Sequence, residues 1–283
     1  MNKRNKIRKP GSSGTAVQTR HGASAPGTTP TTLSQPLNTY TPARVQLQRT
    51  GHSLTTAENL KLQLANAQAR DAVHATLDVL ALIHGLQQRK LPNLVVTSAA
   101  PNRAEYLRNP ALGRTLSSYS EAALKAMATE NVEPGIVYDL VFVIADGLSA
   151  LAVDRHALPL LDVALGSLDA WSVAPICVVE QARVAIADPV GEILGAKISV
   201  ILIGERPGLS SPDSLGVYIT WDPRTGRSDA DRNCISNIRP EGLPYEEAAA
   251  LLHFYLNESR RLQQTGTLLK PSAVSHRLPG MRR

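Results

Sequence analysis

The 283-residue sequence has only two cysteines, few aromatic residues and no long apolar run. Cys177 and Cys234 lack the paired spacing of a disulfide framework, so a reducing compartment is expected. The most apolar segment, residues 137 to 153, is interrupted by Asp139 and Asp146. A membrane-spanning helix needs about 20 predominantly apolar residues, and a secretory signal needs an apolar segment after its basic start. We therefore expect no membrane association and no secretion.

Acidic residues are absent from the first 57 positions, which contain eight lysines and arginines. The first acidic residue is Glu58, and the remaining sequence has 22 basic and 24 acidic residues. The net charge of +6 therefore belongs to the N-terminal segment. Because the rest of the chain has no general positive field, we expect no nucleic-acid partner.

Residues 1 to 44 are rich in Gly, Ser, Thr and Pro, with basic residues clustered at the start. This composition predicts a disordered basic tail. A solvated, solubilising extension is favoured over a docking peptide, because composition alone does not select a partner.

Residues 45 to 130 are predicted to form a small, mainly helical subdomain. Apolar residues at helical spacing predict a core-facing helix that continues to Gly85. These positions are Leu60, Leu64, Ala67, Val73, Leu77, Leu80 and Ile83. A short strand is predicted over 94–98 and a helix over 118–128. His74 and His84 are interpreted as structural residues, since no second cluster of metal ligands accompanies them.

Residues 131 to 283 alternate between apolar, strand-like runs and helical patterns, which is typical of βαβ units. The fold class is therefore predicted as α/β, with a Rossmann-like, mostly parallel sheet. Strands are predicted over 137–145, 173–179, 198–203 and 217–221, with a further short one over 184–186. Three helices are predicted. The first covers 154–169, the second begins after Asp188 as its N-cap, and the third begins at Pro244.

Two loops follow predicted strands of this sheet: DGLS begins at Asp146 and GERPG begins at Gly204. Ligands of open parallel sheets bind beyond the carboxyl ends of the strands. Glu205 offers acceptor oxygens and Arg206 offers a planar set of donors. The alternative is that the glycines only shape a tight loop and that both charged residues pair on the surface.

Common catalytic motifs are missing. The segment GEILG, which begins at Gly191, lacks the GxGxxG spacing, and the chain has no Walker sequence, GxSxG or CxxC. Asp154 and His156 begin an Asp-x-His-x-x-Gly sequence, but Pro159 replaces its glycine. They are interpreted as a capping feature and a solvent-facing histidine, and Cys234 as a small buried apolar group. This pattern indicates a binding surface for a large ligand, with no metal ligands and no catalytic constellation.

Four segments resemble, in order, the small subunit of ethanolamine ammonia-lyases. They are SAAPNRAEYLRNPALGRTLS, VFVIADGLSALAV, RVAIADPVGEILGAKISVILIGERPGLSSPDSLGVYITWDPR and ADRNCISNIRPEGLPYEEAAALL. The resemblance covers roughly residues 45 to 270 and is densest between Val184 and Leu252.

The resemblance implies a hetero-oligomer with a larger, barrel-shaped subunit and adenosylcobalamin between the two chains. The reaction of the family converts ethanolamine to acetaldehyde and ammonia through a radical, and its catalytic residues belong to the large subunit. Val184, Glu205 and Cys234 match the positions at which the small subunit contacts the cofactor. The broken histidine motif implies that the cofactor keeps its own base on cobalt. The expected location is the cytoplasm, either free or inside a bacterial microcompartment.

Two alternatives remain open at this point. The chain could be a cobalamin-binding or delivery module without a role in turnover, or an unrelated Rossmann-like scaffold. Binding and activity measurements with and without a large partner distinguish these alternatives.

Overall fold

The structure is a computed structural model that describes residues 47–130 and 138–269. The predicted tail over 1–44 lies outside these residues, as does the predicted strand start at Val137. The strands are Arg49–Thr50 (β1), Ser53–Leu54 (β2), Asn93–Thr97 (β3), Leu140–Ala145 (β4), Ile176–Glu180 (β5), Ile198–Gly204 (β6), Leu215–Trp221 (β7) and Arg232–Ile238 (β8). The helices are Thr56–His74 (α1), Val79–Gln88 (α2), Arg103–Arg108 (α3), Ser118–Glu130 (α4), Ala150–Leu165 (α5), Ala187–Leu194 (α6) and Tyr245–Leu262 (α7).

A six-stranded sheet with the order β3-β5-β4-β6-β7-β8 organises the chain. The first four of these strands are parallel, and β7 and β8 are antiparallel additions at one side. The predicted α/β class with a mostly parallel sheet is therefore confirmed. Strand β3 comes from the segment expected to be mainly helical, and it forms one edge of this sheet. The proposed domain boundary at residue 130 stays a prediction, because it adjoins residues that the structure does not describe.

The two faces of the sheet carry separate apolar clusters, because successive strand residues point to opposite sides. In β4, Leu140, Phe142 and Ile144 pack with α5 and α7, whereas Val141 and Val143 pack toward α4 and α6. All six side chains of β4 are buried, as expected for a central strand that helices cover on both faces.

The first predicted helix is two helices in the structure, because the chain breaks between α1 and α2 and Asp78 caps α2. Several expected core positions were wrong. Leu60 and Leu64 are each 60% exposed and Leu80 is 80% exposed, whereas Ala65 and Ala72 are the buried residues of α1. The buried residues of this helix are therefore small, and Leu60 and Leu64 face outwards.

Three predictions around the helix starts require correction. Helix α5 begins at Ala150, four residues earlier than predicted, because the Ser149 hydroxyl accepts the N–H of Ala152. Asp188 lies in the first turn of α6 and does not cap it, since its carboxylate binds Arg232. The predicted short strand over 184–186 is a 3-10 helix, Val184–Ile186, that leads directly into α6. The final helix follows Pro244 as predicted.

Candidate functional site

A cavity of about 380 Å³ opens at the carboxyl ends of the parallel strands, where the chain order reverses between β4 and β6. Its lining comes from the DGLS loop, the GERPG loop, the turn after β5, helix α3 and strand β7. The lining residues are Tyr106, Gly147, Leu148, Arg183, Val184, Ile203, Gly204, Glu205, Arg206 and Tyr218. A cavity therefore lies where the sequence predicted a ligand site, and binding of a ligand there stays a prediction.

Two glycines bring the DGLS and GERPG loops into direct contact. Gly147 has a φ of +56°, and the N–H of Leu148 donates to the Gly204 carbonyl at 2.9 Å. A Cβ atom on Gly204 would overlap the carbonyl oxygens of Ser149 and Asp146. The floor of the cavity is consequently backbone, which leaves room for a ligand to approach closely.

The Glu205 carboxylate is fixed on one side of the cavity. Its Oε2 atom accepts the Ser214 hydroxyl at 2.5 Å and the backbone N–H of Asn237 at 3.1 Å. Asn237 has a left-handed φ of +58°, and a Cβ atom on Gly216 would lie 2.9 Å from Oε1. No hydrogen bond to Oε1 occurs within the described residues. One oxygen therefore anchors the side chain, and the other is an acceptor without a bonded partner in this part of the chain.

Val184 and Cys234 occupy two further positions around Glu205. Val184 lines the cavity and packs against the apolar cluster on the α6 side. Cys234 is exposed on β8 and is the register partner of Tyr218, a lining residue. The sequence interpretation of Cys234 as a buried group was wrong. Although the residue is exposed, its thiol is partly desolvated, and this desolvation and the negative charge of Glu205 raise the pKa of the thiol. The side chain therefore stays uncharged near neutral pH.

A buried ion pair between Arg103 and Asp146 lies next to the cavity. The Asp146 carboxylate, 2% exposed, accepts Nη1 of Arg103 at 3.0 Å and the N–H groups of Gln181 and Ala182 at 3.0 Å each. Arg103 also donates to the Gly147 carbonyl at 2.9 Å. The end of β5 and the end of β4 are thereby tied together through one carboxylate.

Tyr106 and Arg183 are two residues of the cavity wall to which no pattern in the sequence pointed. Tyr106 is fully buried, its hydroxyl donates to the Ala182 carbonyl at 2.9 Å, and burial raises its pKa well above the usual range. The Arg183 guanidinium lies 4.4 Å from the centre of the Tyr106 ring. These residues are 77 positions apart in the sequence, so no local pattern predicted their contact.

His156 lies away from this cavity and corrects another prediction. It is 5% exposed, although it was expected to face solvent. Its Nδ1 atom lies 2.8 Å from the Tyr245 hydroxyl, and Nε2 lies 3.6 Å from an Asp213 oxygen.

Within residues 47–130 and 138–269, no group of three or more His, Cys, Asp or Glu side chains could hold a metal ion. No helix in this described part is long and apolar enough to cross a membrane.

Comparison with known proteins decides the family. The family model described as ethanolamine ammonia-lyase light chain (EutC) matches residues 32–270. The chain belongs to this family. A curated ethanolamine ammonia-lyase small subunit from Azotobacter vinelandii is 54% identical over 248 residues, which cover 87% of this chain and 91% of that protein.

Further ethanolamine ammonia-lyase small subunits show the same extent of similarity. The protein from Pseudomonas aeruginosa is 51% identical over 247 residues, covering 87% of this chain and 89% of its own length. That from Pseudomonas putida is 52% identical over 244 residues, covering 86% and 89%. The resemblance seen in the sequence is thus confirmed, and the chain is an ethanolamine ammonia-lyase small subunit by family.

Proposed function

We propose that this small subunit forms one wall of an adenosylcobalamin site and that a larger subunit completes that site in a hetero-oligomer. The assembly would convert ethanolamine to acetaldehyde and ammonia, as part of ethanolamine breakdown in the cytoplasm or in a bacterial microcompartment. The observation that carries the proposal is the shared cavity. Val184 and Glu205, which the family resemblance pairs with the cofactor, line the same cavity, and Cys234 lies beside its Tyr218 wall.

The size and chemistry of the cavity fit this role. A corrinoid is larger than this cavity of about 380 Å³, so the cavity can receive only one edge of it and leaves the rest available to a second chain. The corrin periphery carries carboxamide groups, which both donate and accept hydrogen bonds. Glu205 supplies an acceptor, the arginines supply donors, and Val184 supplies an apolar contact.

We expect this chain to hold the cofactor and the large subunit to carry out the reaction. When bound, the cofactor supplies the radical through homolysis of its cobalt–carbon bond. In this chain, Glu205 would accept hydrogen bonds from carboxamide N–H groups, and the uncharged thiol of Cys234 would provide a close contact without adding charge. Substrate binding and radical handling would belong to the large subunit.

Activity measurements test the proposal. The chain is produced alone and together with the large subunit of the same organism, and acetaldehyde is measured with ethanolamine and adenosylcobalamin. We expect turnover only from the assembled protein. Turnover by the isolated chain would contradict the division of labour. Cobalamin binding without any gain in turnover on assembly would favour a delivery module.

Cofactor affinity tests the role of Glu205. In the assembled protein, Glu205→Ala should weaken cobalamin binding by about 1.5–3 kcal/mol, the usual contribution of a hydrogen bond to a charged group. Glu246→Ala is a matched control, because Glu246 is an exposed glutamate in the first turn of α7 and does not line the cavity. Equal affinities for the two variants would remove Glu205 from the site.

A further inference from the structure

Arg183 is an arginine of the cavity wall whose side chain has no polar partner in the described residues. Its Nε atom is buried without a hydrogen bond, and no hydrogen bond or ion pair of its guanidinium occurs within residues 47–130 and 138–269. Arg183 is half-buried. Arg103 and Arg232 also have one buried nitrogen without a hydrogen bond, but each is paired with a carboxylate through another nitrogen; Arg232, for example, makes two contacts of 2.7 Å with Asp188. A buried N–H group that is left without an acceptor is costly, unless a ligand supplies that acceptor.

The position of Arg183 is determined by several independent contacts. Its own N–H donates to the Gly113 carbonyl at 2.7 Å, and the preceding residue, Ala182, is held by the Tyr106 hydroxyl and the Asp146 carboxylate. The Tyr106 ring lies 4.4 Å from the Arg183 guanidinium and 4.8 Å from that of Arg103. Stacking on a ring fixes the plane of a guanidinium while leaving its N–H edge available for hydrogen bonds.

We infer that Arg183, held against Tyr106, is a ligand-binding donor of this cavity that recognises an acceptor oxygen on the periphery of the corrinoid. The inference rests on the proposed function, since it names the ligand group that this wall binds. Two groups of cobalamin share the required chemistry: the carboxamide carbonyls of the corrin and the phosphodiester of the nucleotide loop. Glu205 lines the same cavity and offers an acceptor. Arg183 would therefore bind acceptor groups of the ligand, and Glu205 would bind its donor groups.

Equilibrium titration of the assembled protein with aquacobalamin and with cobinamide tests this inference, because cobinamide lacks the nucleotide loop and its phosphodiester. Arg183→Met keeps the length of the side chain and removes the donors, and it should weaken binding about tenfold or more. Weakening for both ligands would identify a carboxamide, and weakening for cobalamin alone would identify the phosphodiester. Unchanged affinity for both ligands would overturn the inference.

Three further variants separate recognition from folding. Arg183→Lys retains the charge without the planar donor set, so we expect weakening of several-fold even if Arg183→Met fails to fold. Tyr106→Leu should act in the same direction by releasing the guanidinium. Arg70→Met is the matched control, since Arg70 is 74% exposed on α1. Failure of the wild-type assembly to bind either ligand would instead contradict the proposed function itself.

Discussion

The Ser214 hydroxyl donates to Glu205 Oε2 at 2.5 Å. This bond joins the end of the loop between β6 and β7 to the candidate cofactor contact at its start. The backbone reinforces this closure, since the Glu205 N–H donates to the Ser214 carbonyl at 2.9 Å. Ser214 is 5% exposed and does not line the cavity, so it acts on a ligand only through Glu205.

Ser214→Ala should therefore weaken cobalamin binding by less than Glu205→Ala does, by about 1 kcal/mol or fivefold. Titration of the assembled variants with aquacobalamin measures the difference. Ser214→Thr keeps the hydroxyl and should recover most of the affinity. If the alanine and threonine variants bind equally well, the hydroxyl does not position Glu205.

Arg232 and Asp188 form a buried ion pair between β8 and α6, with both side chains 2% exposed. Arg232→Met would leave the Asp188 carboxylate buried and unpaired, which should lower the free energy of unfolding by about 3–5 kcal/mol. Urea unfolding followed by circular dichroism provides the measurement. The control is Arg224→Met, because Arg224 is 60% exposed in its pair with Asp222 and exposed pairs contribute about 0–1 kcal/mol. Similar losses for the two variants would contradict this account.

Glycine is required at positions 204 and 195 for different reasons: the first lacks space for a side chain, and the second has a left-handed backbone. A Cβ atom on Gly204 would overlap two backbone carbonyl oxygens, whereas one on Gly195 would meet nothing within 4 Å and only strain its φ of +66°. Gly195→Ala should cost about 1–2 kcal/mol from the left-handed conformation alone. Gly204→Ala should cost clearly more and should distort the cavity floor. Thermal unfolding and cobalamin titration of both variants check this order, and a Gly204→Ala variant that matches Gly195→Ala in stability would refute it.

Acidification should destabilise the protein through His156. Burial lowers the pKa of this histidine below its ordinary value of 6.5, although the neighbouring Asp213 acts in the opposite direction. Because the folded pKa is depressed, the unfolded state binds the proton more readily, and the contribution of His156 is lost as the pH falls below about 6.5. His156→Gln should therefore show a shallower fall in unfolding free energy over this pH range. A steeper fall would mean that Asp213 raises the pKa of His156.

The sequence predicted the elements with strong periodicity and the loops that follow them. Strand β6 and helix α7 carry clear apolar and charge patterns, and the cavity lies at the loop after β6 where an open parallel sheet places its ligand. Glu205 was predicted from its place in that loop and Val184 from the family resemblance; both line the cavity, and their contact with a cofactor stays a prediction.

The remaining features depend on contacts that no local pattern contains. Tyr106 reaches the cavity from α3, and Asn237 reaches Glu205 from the end of β8. His156 is buried because α7 brings Tyr245 against it, although the charged residues Asp154 and Arg155 precede it in the sequence. Leu60 and Leu64 of α1 have helical spacing but are exposed, since periodicity identifies the apolar face of a helix without showing what covers that face.

A structure of the assembled protein with bound cobalamin is the most direct test of the central claim. We expect corrinoid atoms within about 4 Å, the usual contact distance, of Val184, Glu205 and Cys234, with the large subunit covering the opposite side. This expectation would be contradicted by a corrinoid bound elsewhere in the assembly while this cavity faces solvent.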